Sequence, residues 1–231
     1  MDIKYTGDEA LRYAKFIEKS FSWDFLEKPI IEERIKPLIS DRTKILDAGC
    51  GSGRTVGLLM EMGARAENIL ATDVSPHMLK LAQDNYPGAN FIESDLANLE
   101  LPKESIDIVL SNMVLQYLDD NDLQKALNIF YHNLKSGSYL LFITVHPLRF
   151  QEKGQDYFAK EAKEEQTPWG TKLEYYPKKI SDYVNATIEA GFEILHVDEP
   201  LPLMIGKSVN PEEYNKYSAR PTRLAVGARK K

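Results

Sequence analysis

The sequence has 231 residues, of which 43% are hydrophobic and 28% are charged, with a formal net charge of −6 and one cysteine. These proportions are ordinary for a folded protein, and the length suits one α/β domain with additions rather than two full domains. The negative charge disfavours tight, sequence-independent binding to nucleic acid or an anionic membrane, and the single cysteine excludes an internal disulfide and a multi-cysteine zinc site.

Predicted strands and helices alternate in the first half of the chain. Short apolar runs bounded by turn residues indicate strands, and longer segments of helix-forming residues indicate helices. In chain order these are a strand at 44–49, a helix at 54–63, a strand at 68–73, a helix at 75–86 and a strand at 90–95. Ser75 as an N-cap and Pro76 at the first helical position mark the start of the second helix.

The second half continues this pattern with two interruptions. The predicted elements are a strand at 105–112, a helix with apolar residues at 123, 126, 127, 130 and 134, a strand at 138–145, a helix at 178–191, and strands at 192–200 and 222–230. The stretches at about 146–177 and 201–221 interrupt it, and the charged run 159–166 is interpreted as a solvated helix face. Apolar strands joined by helices indicate a parallel sheet covered on both faces.

The segment LDAGCGSGRTVG at 46–57 places three glycines and one acid directly after the first predicted strand. In an open parallel sheet, ligands bind at the carboxyl ends of the strands, so this turn is the candidate binding loop. Its spacing differs from the dinucleotide pattern G-x-G-x-x-G because Arg54 occupies the third glycine position. Asp73 ends the next strand, where a carboxylate can accept ribose hydroxyls. We therefore expect a nucleoside that carries a small anion, such as a carboxylate, rather than a pyrophosphate.

These features, with three further motifs, resemble the class I S-adenosylmethionine-dependent methyltransferases over roughly residues 40–200. The matching stretches are LDAGCGSG, ATDVSPHML, FIESDLANL, SIDIVLSNMVLQYL and LKSGSYLLF, in the family's order. The resemblance implies S-adenosylmethionine as cofactor and an α/β fold, with a doubly wound, mostly parallel seven-stranded sheet, helices on both faces and an antiparallel last strand. We expect a methyltransferase domain at 41–231, carrying both insertions, and an N-terminal helical lid segment at 1–40.

The resemblance also assigns a cofactor site. The methionine part would lie against Asp47, Gly49, Cys50, Gly51, Gly53 and the backbone of Asn112. Asp47 would order the loop, and Asp73 would hold the ribose. The adenine ring would be bound by Val74, Met78, Asp95 and the backbone of Leu96.

Catalysis of methyl transfer depends strongly on positioning. Orientation of the reactants contributes roughly 7–11 kcal/mol, whereas a general base adds about 10²–10⁴-fold in rate. The candidate catalytic residues are His146, directly after the strand 138–145, and Tyr117, in the loop after the strand 105–112. His77, His132 and His196 lack ligand spacing, and no metal site is predicted.

The acceptor is predicted to be a small molecule. Methyltransferases of base amino groups usually place Pro-Pro and an aromatic residue after the fourth strand, whereas here Asn112 is followed by Met113 and Val114. Enzymes that methylate pyrimidine carbon need a cysteine in the same region, and the only cysteine is Cys50. An aromatic-rich lid would exclude water from such a site. Its candidate members are Tyr13, Phe16, Trp23, Phe25, Phe150, Tyr157, Phe158, Trp169, Tyr175 and Tyr176.

Three other functions stay open: a cofactor-binding regulatory protein without turnover, an RNA or protein methyltransferase, and a nicotinamide oxidoreductase. Arg54 disfavours the last of these, since a pyrophosphate needs a glycine there. The sequence has no apolar run of 18 residues and is charged from its second residue, so neither a membrane-spanning helix nor a secretory signal is predicted. We expect a cytoplasmic monomer or homodimer.

Overall fold

The computed structural model describes residues 5–151 and 157–231. Its strands are β1 Ile45–Ala48, β2 Ile69–Asp73, β3 Asn90–Glu93, β4 Ile106–Asn112, β5 Leu134–Val145, β6 Lys163–Gln166, β7 Lys172–Tyr175, β8 Phe192–Asp198 and β9 Arg223–Lys230. Its α-helices are α1 Gly7–Ile17, α2 Lys28–Ile35, α3 Arg54–Glu61, α4 Pro76–Asn85, α5 Asp120–Asn133, α6 Leu148–Gln151, α7 Ile180–Glu189, α8 Gly206–Val209 and α9 Pro211–Ser218.

The main sheet has seven strands in the order β3-β2-β1-β4-β5-β9-β8. The pairs β1–β2, β1–β4, β2–β3 and β4–β5 are parallel, whereas β9 runs antiparallel to both β5 and β8. The predicted seven-stranded, mostly parallel sheet with an antiparallel last strand is confirmed. The chain leaves β1 toward one edge and returns to β4 on its other side, so the topological switch point lies between β1 and β4.

Helices cover both faces of this sheet, as predicted. Successive strand residues point to opposite faces, so Ile45 and Leu46 enter different apolar clusters. One cluster packs the sheet against α5 and α7, with Phe130 fully buried at its centre. The other packs it against α2, α3 and α4. Burial of both faces explains why the parallel strands are nearly continuous apolar runs.

Local signals place the helix ends correctly. The Ser75 hydroxyl accepts the Met78 N–H at 3.4 Å, and Pro76 is the first residue of α4. Beyond α3, Gly63 has φ +104°, which an L side chain rarely adopts. The Asp119 carboxylate accepts the Asp122 N–H at 2.7 Å and caps α5. These predictions succeed because caps depend on neighbouring residues.

The helix predicted in the charged run 159–166 is wrong. Residues Lys163–Gln166 form β6, which pairs antiparallel with β7 from Lys163↔Tyr175 to Gln166↔Lys172. The exposure of β6 alternates along the strand. Charged residues have weak strand preference, so pairing with β7 decides this structure rather than local propensity.

The interrupting segments lie around one end of the sheet. The insertion 146–177 contains α6 and the β6–β7 hairpin, and 201–221 contains α8 and α9. In the N-terminal segment, α2 contributes Ile30, Ile31 and Ile35 to the core, whereas α1 is outside both large clusters. The boundary at residue 40 stays a prediction. Among the helices of the described residues, none has the length and apolarity needed to cross a membrane.

Candidate cofactor and acceptor site

A cavity of about 1020 Å³ opens at the carboxyl ends of the parallel strands. Its floor includes the loop after β1 and the ends of β2, β4 and β5, and its walls include residues of α1, the β6–β7 hairpin and α9. Ligand pockets usually measure roughly 300–1,000 Å³. This cavity is at the upper end of that range, which suits a cofactor together with a second small molecule.

The glycine loop owes its residues to backbone geometry and close packing. Gly49, Gly51 and Gly53 have φ of +85°, +54° and +89°, all in the left-handed region. A Cβ on Gly49 would lie 2.4 Å from a Val114 methyl carbon, and one on Gly53 would lie 2.9 Å from the Tyr86 ring. Two of the three glycines therefore make room for protein side chains. Of the three glycines, Gly49 and Gly51 line the cavity.

Asp73 connects the end of β2 to the glycine loop. Its Oδ2 accepts the Gly51 N–H and its Oδ1 accepts the Ser75 N–H, both at 2.9 Å. Burial raises the pKa of Asp73, and these backbone donors oppose that rise. Each oxygen keeps a further lone pair, so the carboxylate can still accept hydroxyls from a ligand in the cavity.

Asp47 lies beneath the loop, outside the cavity lining. Its side chain is fully buried, and neither carboxyl oxygen has a hydrogen-bond partner in the described part of the chain. Burial first, and then the charge of Asp73, raises the pKa of Asp47 to about 8. An ionised carboxylate without partners is costly to bury, and keeping its proton reduces that cost.

The structure brings together nine of the eleven predicted cofactor residues. Those lining the cavity are Gly49, Cys50, Gly51, Asp73, Val74, Met78, Asp95, Leu96 and Asn112; Asp47 and Gly53 do not line it. Asp95 also caps the turn Leu96–Asn98, because its Oδ1 accepts the Ala97 N–H at 3.0 Å. Burial raises the pKa of the Cys50 thiol, which disfavours a reactive thiolate.

The two catalytic candidates are placed differently. Tyr117 lines the cavity, and burial raises the pKa of its phenol. His146 does not line it: its Nδ1 accepts the Leu148 N–H at 3.1 Å, and its Nε2 lies 2.7 Å from Glu199 Oε1. Burial lowers the pKa of His146. Both ring nitrogens are engaged away from the cavity, so this geometry does not favour His146 as the base.

Aromatic side chains from distant segments close one side of the cavity. The Trp169 ring lies 5.2 Å from both Tyr13 and Phe16, between centroids, and the Arg12 Nε donates to the Trp169 carbonyl at 3.2 Å. The turn of the β6–β7 hairpin thus packs on α1. The predicted lid aromatics that line the cavity are Tyr13, Phe16, Trp23, Trp169 and Tyr175; the side chain of Phe150 lies outside the described residues.

Several charged cavity residues were not identified from the sequence. Arg223 and Glu27 form a buried ion pair at 2.7 Å, and Arg149 lies 3.5 Å from Glu165. Glu27 and Arg223 are 196 positions apart. No local pattern signals such a pair, because it exists only when β9 returns beside the N-terminal segment.

Within residues 5–151 and 157–231, no group of three or more His, Cys, Asp or Glu side chains is placed to hold a metal ion. The cavity contains carboxylates from separate elements, namely Glu27, Asp73, Asp95, Glu165 and Glu213. Each of them holds a backbone donor or a cation of the protein.

Comparison with known proteins finds a methyltransferase domain in this chain. Residues 46–142 match a family model described as a methyltransferase domain. A malonyl-[acyl-carrier protein] O-methyltransferase from Yersinia pestis is 32% identical over 111 residues, which are 48% of this chain and 40% of that protein. One from Acetivibrio thermocellus is 34% identical over 137 residues, which are 57% and 47% of the two chains. The chain spans less than half the length of these two relatives.

A solved structure of a proposed S-adenosylmethionine-dependent methyltransferase from Listeria monocytogenes has the same fold. Its TM-score is 0.73 at 24% identity, covering 89% of this chain and 99% of the other. The match over residues 46–142 begins in β1 and ends in β5, so it contains the glycine loop, Asp73 and Asn112. Residues 46–142 therefore match a methyltransferase domain, within a chain that has the fold of S-adenosylmethionine-dependent methyltransferases.

Proposed function

We propose that this chain transfers the methyl group of S-adenosylmethionine to a small-molecule acceptor by in-line displacement. One observation carries the proposal: the cavity that contains the predicted cofactor residues, at the ends of β1 to β4, continues past them into a second compartment at the end of β5 and the start of β9. That second compartment contains aromatic and charged side chains that the cofactor residues do not include. A binding protein without turnover needs only the first compartment.

The residues present suit this cofactor. Asp73 retains lone pairs for ribose hydroxyls, and Asp95 lies beside Leu96 on the adenine side. Asn112 lines the cavity, and its buried Oδ1 lacks a partner among the described residues, as expected where a ligand completes the hydrogen bonding. When bound, S-adenosylmethionine supplies an electrophilic methyl group on a sulfonium centre.

The chain's own contribution is positioning and exclusion of water. Tyr13, Phe16 and Trp169 cover the cavity, and such a lid keeps water from the reacting atoms. Tyr117 remains a neutral phenol at pH 7 because burial raises its pKa, so it can donate a hydrogen bond that orients the acceptor. We assign no base role to His146.

The names of the two relatives describe O-methyl transfer, so oxygen acceptors are the first class to test in this chain. The negative net charge supports a small molecule over nucleic acid. We also propose a cytoplasmic location and a monomer or homodimer. A regulatory protein that binds the cofactor without turnover is the principal alternative, because the described cavity offers no histidine as a base.

Calorimetric titration tests the cofactor site. We expect S-adenosylmethionine and S-adenosylhomocysteine to bind the wild type, and NADH not to bind. Asp73→Ala should weaken the binding of S-adenosylmethionine and of S-adenosylhomocysteine by at least about tenfold, because it removes a charge-assisted hydrogen-bond acceptor. Asp84→Ala is the matched control, since that aspartate is exposed on α4 and pairs with Lys80.

Thermal unfolding of each variant separates lost affinity from lost folding. Unchanged affinity in folded Asp73→Ala would refute the site assignment. Turnover is then followed as S-adenosylhomocysteine formed with a panel of small alcohols, phenols, acids and amines. Retained cofactor binding with no product across the panel would favour the regulatory alternative.

A further inference from the structure

Arg223 occupies the acceptor side of the cavity. It is the first residue of β9 and pairs in register with Val145, the last residue of β5, so it reaches the same edge of the sheet as the glycine loop. Two strands, β4 and β5, separate β9 from β1. At about 4.8 Å between strands, Arg223 lies roughly 14 Å along the sheet from the loop after β1. That distance places it in the compartment away from the ribose and adenine residues.

The guanidinium of Arg223 is buried, held in one orientation and only partly satisfied. Its side chain is 7% exposed. Nε donates to Glu27 Oε1 at 2.7 Å, Nη2 to Ser22 Oγ at 2.9 Å, and Nη1 to the Thr222 carbonyl at 3.1 Å. A guanidinium has five N–H groups. One N–H on each terminal nitrogen is therefore left without a protein acceptor within the described residues, and Arg223 lines the cavity.

The charge around Arg223 favours a singly charged anion. Glu27 already neutralises Arg223, and the neighbouring Arg149 is paired with Glu165. All four residues line the same cavity, and Arg149, Glu165 and Arg223 all act electrostatically on the Tyr117 phenol. A second anion must therefore share a guanidinium that is already paired. A carboxylate suits two N–H donors of one guanidinium, and it brings one negative charge where a phosphate dianion brings two.

We propose that Arg223 binds the carboxylate of the methyl acceptor through the free N–H groups of its two terminal nitrogens. The acceptor is then a small molecule with a carboxylate and an apolar or aromatic body, because Tyr117, Tyr175 and Tyr217 line the remaining wall. That the bound acid is the methyl acceptor rests on the proposed function. The anion site itself can be measured without turnover.

The test measures ligand binding to the protein loaded with S-adenosylhomocysteine. Three acids are compared with their amides: acetate, phenylacetate and octanoate against acetamide, phenylacetamide and octanamide, with benzyl phosphate as a further probe. We expect at least one acid to bind about tenfold more tightly than its amide. The double variant Arg223→Gln/Glu27→Gln removes both charges without leaving one buried and unpaired. In this double variant the affinities for the acid and its amide should lie within about twofold of each other, and the affinity for S-adenosylhomocysteine should be retained.

Lys216→Gln is the matched control, because Lys216 is an exposed cation of the same cavity wall and pairs with Glu213. The acid preference should survive this change. No acid preference in any of the three pairs would overturn the inference, as would an equal loss of preference in Lys216→Gln. Tighter binding of benzyl phosphate would assign a phosphate site instead. Loss of S-adenosylhomocysteine affinity in the folded double variant would assign Arg223 to the cofactor. Acid preference without methyl transfer would refute only the proposed function.

Discussion

Asp47→Asn tests the electrostatics beneath the glycine loop. The carboxyl of Asp47 is fully buried without a partner among the described residues, and its pKa is raised to about 8 from an ordinary value of 3.8. Between these two values the folded protein keeps a proton that the unfolded chain releases. The contribution of Asp47 to stability is therefore largest below about pH 4 and is lost as pH rises toward 8.

The expected size follows from the separation of the two pKa values. Each pKa unit corresponds to about 1.4 kcal/mol, so over the interval from pH 5 to pH 8 the loss reaches roughly 3.5 kcal/mol. An asparagine at this position keeps the shape of the side chain but cannot ionise. The free energy of unfolding of Asp47→Asn should consequently fall less than that of the wild type over this interval, by roughly 3.5 kcal/mol.

Urea unfolding of the cofactor-free protein at about pH 5, 6.5 and 8 measures this difference. His146 also titrates near this range, because burial lowers its pKa and adds stability as pH rises through its unfolded value. That contribution is common to the wild type and the variant and cancels in the comparison. Asp84→Asn, on the exposed side of α4, should keep the wild-type dependence. Parallel pH profiles for wild type and Asp47→Asn would refute the reasoning.

Gly49→Ala should lower the free energy of unfolding by about 2–4 kcal/mol, since its Cβ would overlap Val114, whereas Gly63→Ala adds only backbone strain of about 1 kcal/mol because nothing lies within 4 Å. Denaturant titration of both variants distinguishes the two costs. Glu27→Ala should cost about 3–5 kcal/mol, because the buried arginine of β9 loses its carboxylate; recovery of most of this stability is expected when that arginine is also replaced by glutamine. His146→Gln should leave affinity for S-adenosylhomocysteine within about twofold by calorimetry, and a tenfold loss would return this residue to the site.

The signals for the alternating fold and for the predicted cofactor end of the site are local in the sequence. Strand and helix periodicity, the cap at Ser75 and the glycine spacing at 49–53 depend on residues near one another in the chain, so the alternating fold and the binding loop are predictable. Asp73 follows because a parallel sheet brings the ends of successive strands to one edge. Nine of the eleven predicted cofactor residues accordingly meet in one cavity.

The acceptor end was decided only by tertiary structure. The charged run at 163–166 becomes a strand because β7 pairs with it, and His146 turns to Glu199, 53 positions away, instead of to the cavity. Arg223 meets Glu27 across 196 positions. The energies of these contacts come from burial and pairing between segments that are far apart in the sequence, and no local pattern indicates that the segments will meet. Composition and spacing therefore predict where the cofactor would bind, while the return of the chain and its packing decide which charged side chains line the rest of the cavity.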